Sequence, residues 1–400
     1  MSKRIIAFLV LLALLLSGCA GERAGKTAAP AEFYTADDPH LYKTEYGLGS
    51  MQGSALTERL TVRQRQLIVG YLDLYYDALA ALKPCSFAPL FAEAAKESLA
   101  WNQAMLSYTI DQRSMQPQDL SMVKWSYTAR ISAVEEQAGS LIVTVEEDSK
   151  QSFAAWQEIT SERYDSWHQF TLQVQAGEWY IADHMDSLQE ICRTHWENAE
   201  ALPIAAETEK LAAIFSSRAG GAAETVACDH PYDREKAVAY AEQFWRLRNG
   251  AWADFSVRGG NCQNYASQCL LEGGIPMDYE GDAQWYSIRF EDFMDSMEGR
   301  TTSWAAVRYF RDYAEKNQGY GLAAAVEQPY FSGEAGDILQ MGVEENTHHT
   351  TVITRLLTDE QGNTVDYLLC SNTANLKDFP AAAYPYPYRN LIKIYGWNEG

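Results

Sequence analysis

Two glycine pairs, Gly259-Gly260 and Gly273-Gly274, bracket the twelve residues from Asn261 to Glu272. Glycine pairs interrupt helix and strand alike, so whatever forms between them is short and sharply ended. Within the bracket Cys262, Ala266 and Cys269 recur at helical spacing and share a face. Asn261 suits an N-cap, and Gly273 or Gly274 suits a helix stop. The expected element is a helix whose first turn carries Cys262. A thiol at that position meets unpaired backbone N–H groups, which favour negative charge, and the thiolate is the nucleophile. The Cys262 N–H can also help to hold an oxyanion, and the leading glycines let a substrate approach the backbone. The bland alternative is a buried, inert thiol.

A thiol nucleophile needs a base, and the base needs an orienter. Downstream, Gly336-Asp337-Ile338-Leu339 reads as a turn into a strand. The β-branched run Thr350 to Thr354 reads as another, with His349 at its start. A third, Val365 to Leu369, ends in Cys370-Ser371-Asn372-Thr373. Pairing of these last two strands through the Asp359 to Gly362 turn brings Asn372 within reach of His349. An amide oxygen on one ring nitrogen then fixes the tautomer and leaves the other nitrogen for the thiol. His348 is the rival base, but strand neighbours point to opposite faces.

From about Tyr232 to Tyr395 these residues resemble the bacterial secreted family described as "putative amidase domain". The resemblance rests on Gly-Gly-Asn-Cys-Gln-Asn-Tyr-Ala-Ser-Gln-Cys-Leu with Gly273-Gly274-Ile275-Pro276-Met277. It rests also on Trp285-Tyr286, Ser303-Trp304, Gly336-Asp337 and His349-Thr350-Thr351-Val352-Ile353-Thr354. The family is similar in plan to CHAP-type and other papain-like cell-wall hydrolases. The resemblance implies a cysteine amidase or peptidase that uses Cys262 and His349 and needs no metal or organic cofactor. It also selects His349 over His348. The family usually has Asp where this chain has Asn261, and often His where it has Asn372. Trp285 and Trp304 either line the cleft or belong to the core.

At the N-terminus Lys3 and Arg4 precede the only apolar run longer than ten residues, Ile5 to Leu16. It is short for a membrane span and right for a signal peptide. Leu16-Ser17-Gly18-Cys19 resembles the lipobox of bacterial lipoproteins, which implies cleavage before Cys19 and lipid on its thiol. The chain would then work outside the cytoplasm, held to the membrane. Its net charge of −22 and pI near 4.7 argue against nucleic acid as a partner. No C-x-x-C or H-E-x-x-H occurs, so common zinc signatures are absent. Cys228-Asp229-His230 is a loop triplet with little claim on a metal.

The expected organisation is a signal peptide (1–18), a tether (19–52), an accessory domain (53–188), a linker (189–230) and the amidase-like domain (231–400). In the accessory domain helical periodicity over Leu60 to Leu82 and Phe87 to Tyr108 gives way to strand patterns. The strand segments are Trp125 to Val134, Ser140 to Glu147, His168 to Val174 and Trp179 to Ala182. That order is similar to the cone fold of the nuclear transport factor 2 superfamily. The expected class is α+β: this domain, followed by a papain-like one in which a Cys-bearing helix packs on a His-bearing antiparallel sheet. The expected function is an extracytoplasmic, lipid-anchored cysteine amidase acting on peptidoglycan or peptide. Two rivals stand beside it. One is a surface binding lipoprotein with an inactive amidase-like domain. The other is a structural protein stapled through Cys262 and Cys370.

Overall fold

The computed structural model describes residues 41–44, 46–216, 222–256, 259–280, 283–288, 299–343 and 346–400. The signal peptide, Cys19 and most of the expected tether lie outside the described residues. Among the described residues no helix is long and apolar enough to cross a membrane.

The expected tether ends earlier than its composition suggests. Leu41–Lys43 (β1) and Gly47–Met51 (β2) are strands, and β2 runs parallel to the first long strand of the accessory region. The glycines explain how. A Cβ at Gly47 would lie 2.2 Å from the Trp125 ring, and one at Gly49 would lie 2.5 Å from Tyr127. Gly47 and Gly49 are there so that two backbones can close over large aromatics.

Helix α1 (Val62–Ala81) begins with a reciprocal cap. Thr61 Oγ1 accepts from the Gln64 N–H at 3.3 Å, and Gln64 Oε1 accepts from the Thr61 N–H at 2.7 Å. Leu82 ends it in a left-handed turn. Helix α2 (Lys96–Ser114) follows, starting later than its periodicity suggests because Ala88–Leu90 forms a separate 3-10 turn. Both helices pack on an antiparallel meander of β3 (Met122–Gln137), β4 (Ser140–Phe153), β5 (Ser161–Gln175) and β6 (Glu178–Asp186). The β5–β6 hairpin turns at Ala176-Gly177, both at positive φ, as its sequence requires.

The expected linker is also largely structured. Ser187–His195 (α3) and Ile204–Ser216 (α4) are helices, and Cys192, Leu211 and Phe215 are buried in the accessory core. A run of Ser, Gly and Ala from 216 to 225 suggested a connection, but the apolar residues before it needed a surface to cover.

The second region contains β7 (His230–Pro231), α5 (Arg234–Phe244), α6 (Cys262–Glu272), α7 (Thr302–Ala305) and α8 (Val307–Lys316). These are followed by β8 (Gly321–Gln328), β9 (Ile338–Val343), β10 (Asn346–Thr358), β11 (Thr364–Ser371), β12 (Leu376–Pro380) and β13 (Tyr388–Asn398). Asp233 caps α5 by accepting from the Lys236 N–H at 3.1 Å. Strands β10 and β11 pair antiparallel through the expected turn, with Val352 opposite Cys370.

The two regions share one sheet. Its order among the described residues is β1-β2-β3-β4-β5-β12-β11-β10-β9-β13-β7, with β6 on β5 and β8 on β13. The join is β5 to β12, where Leu376 opposes Arg163 and Lys377 opposes Glu162. The class is α+β with a large, mostly antiparallel sheet. Period-2 alternation then divides the second region's strands between two cores. Ile338, Val352, Cys370, Ile392 and Ile394 face the helices with Ala266 and Phe310. Leu339, Met341, Ile353, Leu369 and Leu391 face the accessory region with Leu72 and Phe170. Both faces are covered, so these strands read as continuous apolar runs rather than alternating ones.

Candidate active site

Helix α6 starts at Cys262, as its glycine bracket requires, but Asn261 does not cap it with its side chain. Asn261 Oδ1 instead accepts from the Phe255 N–H at 3.1 Å and from Asn264 Nδ2 at 2.9 Å. Its Nδ2 donates to Asn372 Oδ1. The first N–H groups of α6 are thereby left for the sulfur. Burial pushes the Cys262 thiol up, and four donors oppose it: the Thr350, Gln263 and Cys262 N–H groups and the Thr373 hydroxyl. The expected lowering by the helix start is present but is outweighed by burial. Cys262 is only 6% exposed.

The Thr350 N–H belongs to the residue directly after His349. The backbone N–H next to His349 is thus brought to the sulfur at the start of α6, although 87 positions separate Cys262 from His349 in the chain. Thr350 turns its side chain toward α6 and donates to Gln263 Oε1 at 2.8 Å. His349 turns the other way. Its ring stacks on Tyr384 with centroids 5.4 Å apart and lies 6.4 Å from Tyr386. Both tyrosine hydroxyls are raised by burial and also feel the Cys262 sulfur. His349 is buried, its Nε2 has no hydrogen-bond partner, and burial pushes it down to about 4. It is held as a neutral base. His348, the rival, points its ring edge-on to His195 of α3 at 5.2 Å.

Asn372 is not arranged as the expected orienter of His349. Its Nδ2 lies within hydrogen-bond distance of the carbonyls of Phe244 (2.7 Å), Trp245 (3.1 Å) and Leu247 (3.3 Å). Its oxygen takes the Asn261 amide. The physical reason is the open end of α5. The last carbonyls of that helix have no intrahelical donor, and Asn372 supplies one. It ties three segments together: the end of α5, the start of α6 and the end of β11.

Trp285 and Trp304 are not in a cleft. Both are fully buried behind α6, where Trp304 Nε1 donates to Asn264 Oδ1 at 2.7 Å and Trp285 Nε1 donates to Ser267 Oγ at 3.1 Å. They brace the far side of the Cys-bearing helix. Cys262, Cys269 and Cys370 carry free thiols, so the stapled alternative is not what this structure holds. Cys370 faces the helix core with Cys269. In the Cys228-Asp229-His230 triplet, His230 is taken by Glu399 at 2.8 Å and stacks on Trp397. No group of side chains among the described residues is suited to hold a metal.

Sequence reasoning missed Thr373, Tyr384 and Tyr386. Thr373 Oγ1 accepts the Asn261 N–H at 2.7 Å while its hydroxyl faces the Cys262 sulfur. It is the residue after Asn372, and strand alternation could have offered it as the neighbour of the thiol. The tyrosines lie in Tyr384-Pro385-Tyr386-Pro387, whose prolines mark it as a loop but give no hint of what it covers.

Residues 231–395 match the family described as "Putative amidase domain". At that general level the match points to amide hydrolysis, and we call the matched segment the amidase region. "Uncharacterized protein YhbB" of Bacillus subtilis (strain 168) is 32% identical over 124 residues, which cover 30% of this chain and 37% of that protein. The match thus spans well under half of the relative's length. A crystal structure of "Putative Scytalone Dehydratase" from Novosphingobium aromaticivorans DSM 12444 aligns over 30% of this chain and 80% of its own. Identity is 12% and the TM-score 0.22, a likeness too slight to carry an argument.

Proposed function

We propose that this chain is an extracytoplasmic cysteine amidase or peptidase, tethered through lipid on Cys19, whose amidase region follows the papain-like plan. The accessory region is read as a cone-type domain that binds or positions wall polymer. The observation that carries the catalytic part is the convergence on one sulfur. The Thr350 amide beside His349, the first amides of α6 and the Thr373 hydroxyl all face Cys262. Three separate chain segments meet there, in the region that matches the amidase family.

The chemistry follows from those groups. His349, whose ring faces away from α6 in this structure and must turn toward Sγ, takes the thiol proton as Cys262 Sγ attacks the carbonyl carbon of an amide. The oxyanion that forms is met by N–H groups at the helix start. The imidazolium then gives its proton to the departing amine, leaving a thioester. Water, deprotonated by neutral His349, attacks the thioester and releases the acid and the thiol. Neutral His349 has a lone pair to accept the proton in each step, although burial, which pushes it down to about 4, makes it a weaker base than a solvated imidazole. Peptidoglycan stem peptide is the amide proposed, on the strength of the signal and lipobox pattern.

A surface lipoprotein with an inactive domain is the second reading. What favours it is that His349 Nε2 has no partner and that Asn372 is committed elsewhere. Digestion of purified peptidoglycan with wild type and Cys262→Ala, followed by mass analysis of soluble fragments, separates the two. Fragments with new amine and carboxyl ends from wild type alone are expected. Identical products from both proteins would remove the hydrolase reading.

A further inference from the structure

We propose that the accessory region holds the Cys262–His349 site shut, through a clamp of β5 on β12 and the Tyr384–Tyr386 segment beyond it, and that substrate reaches the thiol only when this clamp releases. The inference rests on the amidase reading of Cys262 and His349.

Four observations carry it. First, both groups are nearly sealed, with Cys262 6% and His349 4% exposed. A nucleophile that must meet a polymer cannot work from that depth. Second, the cover is identifiable. His349 lies on the sheet face that looks toward the accessory region, and Tyr384 stacks on it. A row of rings continues outward: Tyr384 meets Phe379 of β12 at 5.9 Å, and Phe379 meets Phe153 of β4 at 6.0 Å. The imidazole is joined ring by ring to the accessory core.

Third, the strand ladder of the clamp is short, although the same segment also packs in the shared core. Among the described residues β5 and β12 pair at Leu376 with Arg163 and at Lys377 with Glu162. A few further bonds flank them. Ser161 Oγ donates to the Asp378 carbonyl at 2.7 Å, the Tyr164 N–H donates to the Asn375 carbonyl at 3.2 Å, and Asn375 Nδ2 donates to Asp165 at 2.6 Å. Arg246, just past α5, lies over the Tyr164 ring at 3.9 Å. Fourth, the clamped segment is held in an unfavourable backbone. Ala374 and Asp378 have φ of 53° and 50°, in the left-handed region, although neither is glycine. The segment is thus a short strap with two residues in a costly backbone region, paired to the neighbouring region and covering the base.

The test locks the strap. Glu162 and Lys377 are directly opposed across an antiparallel pair, a spacing that a disulfide spans. In E162C/K377C the rate of iodoacetamide modification of Cys262, read by mass spectrometry of its peptide, should fall at least about tenfold below wild type when oxidised. It should recover after reduction with a phosphine and removal of the reductant. Conversely, Y164A/D165A should raise that rate by a similar factor. Should that loosened variant fail to fold, the oxidised and reduced forms of the locked protein still decide the matter. Equal modification in the oxidised and reduced locked protein would overturn the closure. Peptidoglycan release is followed in the same samples. Modification that tracks the lock, with no hydrolysis by any form, would leave the closure standing and remove the amidase reading instead.

Discussion

His349 shows how burial sets the chemistry of one residue. Its folded pKa lies near 4, while an imidazole in the unfolded chain titrates near 6.5. As pH falls below about 6.5 the unfolded state takes up the proton first, so this group withdraws stability between about pH 6.5 and 4. The loss amounts to ~3 kcal/mol at most. Asp73 and Asp366, both pushed up to about 7 by burial, work in the opposite direction over an overlapping range. A difference measurement cancels them. Between pH 7 and 5 the melting temperature of wild type should fall further than that of His349→Phe, and parallel curves would mean that the ring is solvated. Asn372 offers a second residue-scale check. Asn372→Leu removes the amide that donates to the carbonyls at and just past the α5 end and accepts from Asn261 Nδ2. It should cost about 2–3 kcal/mol in urea unfolding. A role confined to orienting His349 would cost activity and little stability. Cys262 and His349 could be proposed from sequence because a nucleophile and a base leave chemical signatures there. Asn372 was misassigned because an amide suits a helix end as well as an imidazole, and only the path of α5 decides between them.

At the scale of elements, the start of α6 is the part most tightly specified. Gly260 has a φ of 115°, and a Cβ there would lie 3.2 Å from Thr373 Oγ1. Gly260→Ala should therefore lose about 1–3 kcal/mol. It should also disturb the Asn261–Thr373 bond that sets the hydroxyl beside the sulfur. A variant with an unchanged urea midpoint would show that the turn adapts. The glycine bracket, the Asp233 cap and the Ala176-Gly177 turn were all legible, since each is a local rule written in adjacent residues. The strands were legible in place but short in length. Those of the accessory region run to 14–16 residues in β3, β4 and β5, well past the β-branched cores that marked them. The start of β5 carries Ser161, whose hydroxyl donates to the Asp378 carbonyl of the second region. Glu200 to Phe215 carries a helical pattern that α4 matches, but the packing of α3 and α4 was not legible, their partner surface being supplied by distant parts of the chain.

For the whole molecule, the shared sheet and shared core change what the two regions are. Met341, Ile353, Leu369, Phe379 and Leu391 of the amidase region pack with Leu72 and Phe170 of the accessory region in one cluster. Far-UV circular dichroism and tryptophan fluorescence should follow one common transition when the full chain unfolds in urea. Two separated transitions would show that the regions are independent domains. A fragment of residues 222–400 alone would bare that apolar face, so it should bind a hydrophobic dye and self-associate. No boundary near 230 could announce this, because composition marks where a chain loosens and not which faces of its strands are spoken for. One consequence concerns reach. The edge strand β1 and the amidase strand β13 stand nine places apart in the sheet order. Under the anchoring proposed above, the mooring joins the sheet at β1, at the opposite end of its order from the strands that flank the sulfur.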